Sequence, residues 1–471
     1  MQLKQGGRHM EPKAKKKKFH IPDTYALLLY FIIFAAILTY IIPAGVYDKF
    51  PDTTTVDPNS FHFVERTPVN LFDAIQSISL GMIKGAKIIF SVFLVSGAFK
   101  VINDTGAIEA GIDSLSNRLK DKIIFLIPVI LAAMSALGYL EIIVNQTIVF
   151  IPIGLVIARK LKMDPIVGLS MMYLGTYVGF VFGGMGPFTV QVAQTIAGVP
   201  LLSGIGFRTV VFLIALVATA AFLMRYAKKV MADPSQSALG TAKYDWAVDV
   251  HEDQKLEFEG KHKIILVAIF VTFGIYIYGA MKFAWSMNEL NTVTIFLAVF
   301  AGILTKMNVN NIAKSFIDGC KMATYSALLI GFATAISVVL TDGNIISTII
   351  YYASLPLASA SKMVSGVLIF FFNWIFNFFV PSGSGQAAVV MPILAPLGDV
   401  IGLSKQVIIS GYKYGDGITN LIIPTSGTLM GFIGLARISY EKWLKFILPL
   451  VGIWTLIATG AIIVGVAIGW Q

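Results

Sequence analysis

The sequence is poor in the residues that most protein chemistry requires. Its single cysteine, Cys320, among 471 residues excludes a disulfide framework, a cysteine-based metal site and a CxxC redox motif. The five histidines, His9, His20, His62, His251 and His262, all fall in polar tails or loops. No imidazole is therefore available to a reaction inside an apolar segment. Neither HExxH nor GxxxxGK[ST] occurs, which removes the sequence basis for zinc hydrolysis and for P-loop ATP hydrolysis. Charge is scarce as well: 13% of residues are charged, against roughly 25% in a soluble domain.

What is abundant is apolar sequence. With 56% hydrophobic residues and a mean hydropathy of +0.78, the chain reads as an all-α polytopic membrane protein whose outer surface meets the lipid bilayer. The net charge of +10 sits largely in Lys13, Lys15, Lys16, Lys17 and Lys18, just before the first apolar run. That placement reads as an orientation signal beside anionic lipid, with a cytoplasmic N-terminus in a bacterial inner membrane, and no nucleic acid partner is expected.

A basic tail at 1–22 precedes an apolar helix from about Tyr25 to Ile42, and a polar segment to Val69 should lie outside. A helix ending near Ile102 returns, and 107–121 reads as an interfacial helix with Arg118, Lys120 and Lys122 on the cytoplasmic side. Residues 123–160 make two apolar arms around a polar tip that holds Gly138, Tyr139, Glu141, Asn145, Gln146 and Thr147. Basic residues at both feet imply a re-entrant hairpin. Asp164-Pro165 then opens a segment to about Gly198, too long for one span of about 20 residues and broken at Gly183, Gly184, Gly186 and Pro187. A span near 206–224 leads to a charged linker at 230–262, a connecting helix at 263–285, and further spans at about 290–304 and 323–340. The hairpin pattern recurs at 364–400, the broken helix at 404–437, and a last span covers 443–469.

A single shift of 240 residues carries Gln146 to Gln386, Pro152 to Pro392, Asp164 to Ser404 and Gly175 to Gly415, and the break at 183–187 onto 423–427. An offset that aligns a tip, a helix cap and a helix break implies an internal duplication, 23–229 against 286–471. Counting crossings from a cytoplasmic start places the second hairpin's feet outside, so the two repeats are inverted. Arg437, Lys442 and Lys445 then fall inside, as the positive-inside rule requires.

The pattern resembles the ion-transporter superfamily, and within it the DcuC-type (C4-dicarboxylate anaerobic carrier) family, most closely its YfcC-like branch. The likeness runs from Ile-Pro-Asp-Thr-Tyr at 21–25 through Gly-Asp-Gly-Ile-Thr-Asn at 415–420 and Pro-Thr-Ser-Gly at 424–427. The resemblance implies a homodimer, an elevator-type mechanism, and secondary transport of carboxylates or amino acids.

Candidate binding residues cluster at the breaks. Lys413 and Asp416 stand three apart on an apolar helix and share a face; they read either as an ion pair or as groups that meet substrate or proton. Asn145, Gln146 and Thr147, and opposite them Ser382, Gly383, Ser384, Gly385 and Gln386, stand where a tip becomes a helix N-terminus, as do Thr425, Ser426 and Gly427. Free N–H groups there suit a carboxylate, while hydroxyls and carbonyls near Asn145, Ser384 and Thr425 could ligate Na+. Plain turn chemistry is the competing reading. Glu141 reads as an amine partner, a proton acceptor or a group in cytoplasmic water, and Asn420 as a ligand or a helix–helix bond.

These features favour a secondary transporter for a small carboxylate-bearing solute, an amino acid such as arginine or ornithine, moved by exchange or by coupling to Na+ or H+. No other cofactor is expected. A C4-dicarboxylate or short-chain carboxylate carrier, a gated channel and, more distantly, an intramembrane enzyme are the alternatives.

Overall fold

The computed structural model describes residues 24–48, 57, 60–111, 114, 124–186, 188–240, 244–248, 258–283, 285–358 and 360–471. The basic tail, Arg118, Lys120, Lys122 and Pro187 lie outside the described residues.

Helix α1 (Thr24–Ile41) leads through a short antiparallel β-ribbon, Gly45–Val46 against His62–Phe63, into α2 (Leu71–Asp104). The ribbon is the one departure from an all-helical plan that the sequence pattern did not signal. Asn70 starts α2 by accepting a hydrogen bond from the Asp73 amide at 3.0 Å, the usual way an Asn satisfies a first-turn donor.

Next come α3 (Leu126–Tyr139), a 3-10 turn at Asn145–Val149 and α4 (Ile151–Lys160). Helix α5 (Pro165–Phe182) breaks before α6 (Val190–Ala197), and α7 (Ile205–Ala232) follows. After the linker come α8 (Gly260–Phe283), α9 (Met287–Leu304), α10 (Val309–Met322) and α11 (Thr324–Asp342). Then α12 (Ile346–Ser354), α13 (Lys362–Phe376) and α14 (Gly383–Ile401) precede a second interrupted helix. It consists of α15 (Lys405–Thr419) and α16 (Gly427–Leu435), after which α17 (Tyr440–Ala467) closes the chain.

Six of these helices, α2, α5, α7, α8, α9 and α17, are long and apolar enough to cross a membrane, and α10 with α11, bent by 41°, would make a seventh. Their outward faces carry large apolar side chains such as Phe270, Val217 and Leu456, the surface a bilayer covers. Helix α5 differs, because every one of its residues is buried. It is enclosed by α3, α4, α7 and α15. Glycines permit this closeness: a Cβ at Gly138 would stand 2.0 Å from the Thr176 carbonyl, and one at Gly179 the same distance from that of Ser135. Helices α2 and α11 meet in the same way, Gly81 lying against the Gly331 carbonyl.

Two helices were not foreseen from sequence. Helix α10 is amphipathic and packs along α2, and α12 follows a positive-φ residue, Asn344. The linker is also more structured than its charge suggested. Ser237 and Tyr226 donate to the Asp164 carboxylate at 2.6 and 2.5 Å, Arg159 donates to the Val248 carbonyl, and Arg437 pairs with Asp245 at 2.8 Å. Residues 233–240 and 244–248 are thus strapped across the ends of α4, α5 and α16.

Candidate functional site

The site is assembled from the two breaks and the two tips. Asp164 caps α5, accepting from the Val167 amide at 2.9 Å, and Pro165 sits where no backbone donor is needed. The helix ends at Gly183, and the chain crosses an open stretch before α6. Ser404 caps α15 in the same manner toward Val407, and after Asn420 the chain again leaves the helix until Ser426 caps α16 toward Leu429. Ser382 caps α14 at the second tip through the Gly385 amide.

A buried ion pair joins these pieces. Lys413 Nζ on α15 lies 2.8 Å from Glu141 Oε1, and the two side chains are only 1% and 2% exposed. The ammonium also donates to Thr189 Oγ1 at 2.6 Å and sits 3.4 Å from the centroid of the Phe180 ring. Glu141 is fixed in turn by the Phe188 amide at 2.9 Å and by the Thr189 hydroxyl. Its backbone has a φ of 55°, so the first tip is held in a left-handed turn with its carboxylate aimed into the α5–α6 break. The break leaves just enough room: a Cβ at Gly186 would lie 2.3 Å from Glu141 Oε1.

Of the two readings of Lys413 and Asp416, an ion pair with each other or contact with substrate or proton, the pair does not form. The shared helix face is real, but Glu141 reaches the ammonium across the break, and no salt bridge links Lys413 to Asp416. Placing Glu141 in cytoplasmic water is corrected too, since the whole residue is only 5% exposed. Asp416 Oδ1 accepts from Asn420 Nδ2 at 3.3 Å, while Oδ2 has no hydrogen-bond partner. Asn420 spends its amide within its own helix, on the Asp416 carbonyl and carboxylate, and makes no bond to another helix through that group.

The other candidates divide into two sets. At the second tip Ser382 and Ser384 are exposed, while Gly383 and Gly385 are half-buried. Gln386 turns inward instead, donating to Asn373 Oδ1 at 2.9 Å, so it ties the start of α14 to α13. At the first tip Thr147 donates to Thr176 Oγ1 at 2.9 Å, Asn145 accepts from Thr428 at 3.1 Å, and Gln146 is half-buried beside them. Thr425 is buried with an unpartnered hydroxyl, Ser426 is spent on its cap, and Gly427 lies against Ile330 and Thr334 of α11. Lys413, Asp416 and, reaching across from the first tip, Glu141 therefore gather beside the second tip, and Asn145, Thr147 and Thr425 beside the start of α16.

Sequence reasoning missed Thr189, Phe180, Asn373 and Asn377. Asn377 donates to the Asp416 carbonyl and to Thr419 Oγ1, both at 2.8 Å. The signal was present in the spacing: two amides four residues apart inside a phenylalanine-rich arm form one polar stripe along a helix.

The chain matches the family model described as C4-dicarboxylate anaerobic carrier (DcuC) over residues 21–467. It is 29% identical to the "Putative basic amino acid antiporter YfcC" of Escherichia coli (strain K12), covering 95% of this chain and 97% of that protein. An uncharacterized protein of Haemophilus influenzae is 26% identical, covering 98% and 99%. Among solved structures, the YdaH transporter of Alcanivorax borkumensis aligns over 95% of this chain and 99% of its own, with a TM-score of 0.43 at 15% identity. MtrF of Neisseria gonorrhoeae, whose structure illuminates a class of antimetabolite efflux pumps, aligns over 94% of this chain and 95% of its own, with a TM-score of 0.43 at 16% identity. With a match that spans nearly its whole length, this multi-pass membrane protein belongs to the C4-dicarboxylate anaerobic carrier family.

Proposed function

We propose that the protein is an elevator-type secondary transporter for a small carboxylate-bearing solute, built from two inverted repeats at 23–229 and 286–471. The connecting helix is α8, and 230–262 is the cytoplasmic linker. The repeat reading is supported by packing. Helices α3, α4, α5 and α7 contact one another in the same pattern as α13, α14, α15 and α17. The Asp164 and Ser404 caps, and Gly175 and Gly415 against α3 and α13, keep the offset of 240 residues. Helix α6 packs on α14 of the opposite hairpin, and α16 on the first hairpin.

The observation that carries the transport reading is the Glu141–Lys413–Thr189 cluster. Three charged or polar groups from a tip, a broken helix and the opposite broken helix converge out of water. In membrane proteins such groups mark solute and ion pathways. When the tips part, Lys413 and the first-turn N–H groups of α14 and α16 hold the solute carboxylate, with Ser382, Ser384, Asn145 and Thr425 supplying hydrogen bonds. Glu141 meets an amine. A site with both signs suits an amino acid, arginine or ornithine by exchange, better than a dianion, and the E. coli relative is named as a basic amino acid antiporter. H+ or Na+ is the coupling ion, and the working unit is a homodimer in the bacterial inner membrane with the N-terminus inside.

Counterflow in proteoliposomes tests this reading with labelled arginine, ornithine and succinate. Unlabelled solute inside should speed uptake of the same labelled solute. Uptake indifferent to the internal solute would point to a channel, and counterflow with succinate alone to a dicarboxylate carrier.

A further inference from the structure

We propose that Asp416 is the coupling-proton site, and that the second tip, residues 381–386, seals over it only when its carboxylate is protonated. The proposal rests on the carrier reading and adds to it the ion and the gate that senses it.

Asp416 is completely buried and Oδ2 has no hydrogen-bond partner. The cation three residues away is already engaged: Lys413 is held by Glu141, Thr189 and the Phe180 ring. An ionised Asp416 would set two carboxylates against one ammonium in a site closed to water, an arrangement that low-dielectric surroundings strongly disfavour. With a proton on Asp416 the closed cluster is neutral.

The groups facing the carboxylate come from five elements. Tyr177 lies toward it from α5 and Glu141 from the first tip. Lys413, Tyr412 and Asn420 share its own helix. Thr189 of the α5–α6 break and Asp416 Oδ2 both border Gly383, the first residue of α14. Asn377, which follows α13, gives its amide to the Asp416 backbone and not to the carboxylate. The lid is the first turn of α14: a Cβ at Gly383 would stand 3.2 Å from Oδ2, and Tyr412 donates to the Gly383 carbonyl at 2.6 Å. That turn contributes no titratable side chain.

The same shell separates a proton from Na+. A hard cation needs several oxygen ligands, whereas Oδ2 lies beside the first turn of α14 with no hydrogen-bond partner and Oδ1 accepts from an amide N–H. When the tip lifts, water reaches Asp416, the proton leaves to solvent and the carboxylate ionises. Closure requires the proton back, so it travels with the sealed site.

The experiment uses the full chain in lipid nanodiscs. Infrared difference spectra at neutral pH should show the carbonyl stretch of a buried carboxylic acid, absent in Asp416→Asn. In a Cys320→Ser background, Val190→Cys, a buried position on α6, the helix that packs on α14, is labelled with a membrane-impermeant maleimide across pH, with Asp416 or Asn at position 416. The Asp protein should react several-fold faster at high pH, and the two rates should converge at low pH. An acid band that is missing, or that survives Asp416→Asn, overturns the proposal, as does a rate ratio that does not change with pH. If Asp416→Asn fails to fold, aspartate labelled with carbon-13 at the side-chain carboxyl must shift the band in the otherwise unmodified protein; an unshifted band is equally fatal. Counterflow decides the carrier reading separately. Its absence beside an intact acid band would remove the carrier and leave the proton site, and counterflow with no acid band would do the reverse.

Discussion

Replacing Glu141 by glutamine keeps the side chain's shape and strands the Lys413 ammonium in a site with almost no solvent. At the 2.8 Å separation of Nζ and Oε1, Coulomb attraction at an effective dielectric of about 20 is about 6 kcal/mol. Desolvation of the pair cancels part of that, and breaking a buried pair from one side costs about 3–5 kcal/mol. Glu141→Gln should therefore lose stability of that order, and Lys413→Met, which strands the carboxylate, a comparable amount. The double variant leaves no orphaned charge and should recover most of the loss, giving a coupling energy of about 3 kcal/mol, where independent sites add to within about 0.5 kcal/mol. Unfolding in mixed detergent–SDS micelles, followed by tryptophan fluorescence, measures all four corners of the cycle. A Glu141→Gln cost below about 1 kcal/mol, the level of an exposed pair, or strict additivity in the double variant, would refute the buried-pair reasoning.

Three further outcomes follow from distances already given. Gly186→Ala places a methyl 2.3 Å from Glu141 Oε1 and should destabilise the protein by about 1–3 kcal/mol, as overpacking does, with the loss reduced in a Glu141→Ala background; equal losses in both would show that the contact is not the cause. Gly138→Ala meets the Thr176 carbonyl at 2.0 Å, where backbone cannot yield as a side chain can, so folded yield by size-exclusion chromatography should collapse. Asp245→Ala removes a half-exposed pair with Arg437, worth at most about 1 kcal/mol, so the melting temperature should barely move while limited proteolysis within 233–257 speeds up.

Where the sequence pattern spoke clearly, it did so through punctuation. Asp164-Pro165, Ser404, Ser382 and Ser426 all prove to be side-chain caps, because a short acceptor just before an apolar helical run has one favourable use. The interruptions at 183–189 and 420–426 were legible for a related reason: glycine, proline and hydroxyl residues gather where backbone leaves the helix at depth. Partnership was not legible. Glu141 and Lys413 are 272 positions apart, and nothing local in either segment specifies that one reaches the other in preference to Asp416, three positions away. Gln386 looked like a tip ligand by its position in the chain, but the side chain turns back onto Asn373. Which way a side chain points at a tip depends on the packing of both arms, and the offset of 240 residues cannot report that.

In the proposed duplication the two halves use one geometry for different chemistry. Position 173 in the first half is tyrosine and its counterpart in the second is Lys413, and each reaches into the opposite half: Tyr173 donates to the Asn420 carbonyl at 3.0 Å, and Lys413 grips Glu141 at 2.8 Å. Thr176 and Asp416 are likewise counterparts. Thr176 closes on itself, donating to the Met172 carbonyl and accepting from Thr147, whereas Asp416 retains an unpartnered oxygen under the second tip. Around the start of α16, Asn145, Thr147, Thr425 and Ser426 offer only hydroxyls and amides, while Glu141 from the first tip gathers with Lys413 and Asp416 of α15 beside the first break and the second tip. The proposed duplication accounts for the shared geometry, and the gathering of Glu141, Lys413 and Asp416 on one side of the site explains why a proton or a charged solute group has one preferred seat beside two related tips.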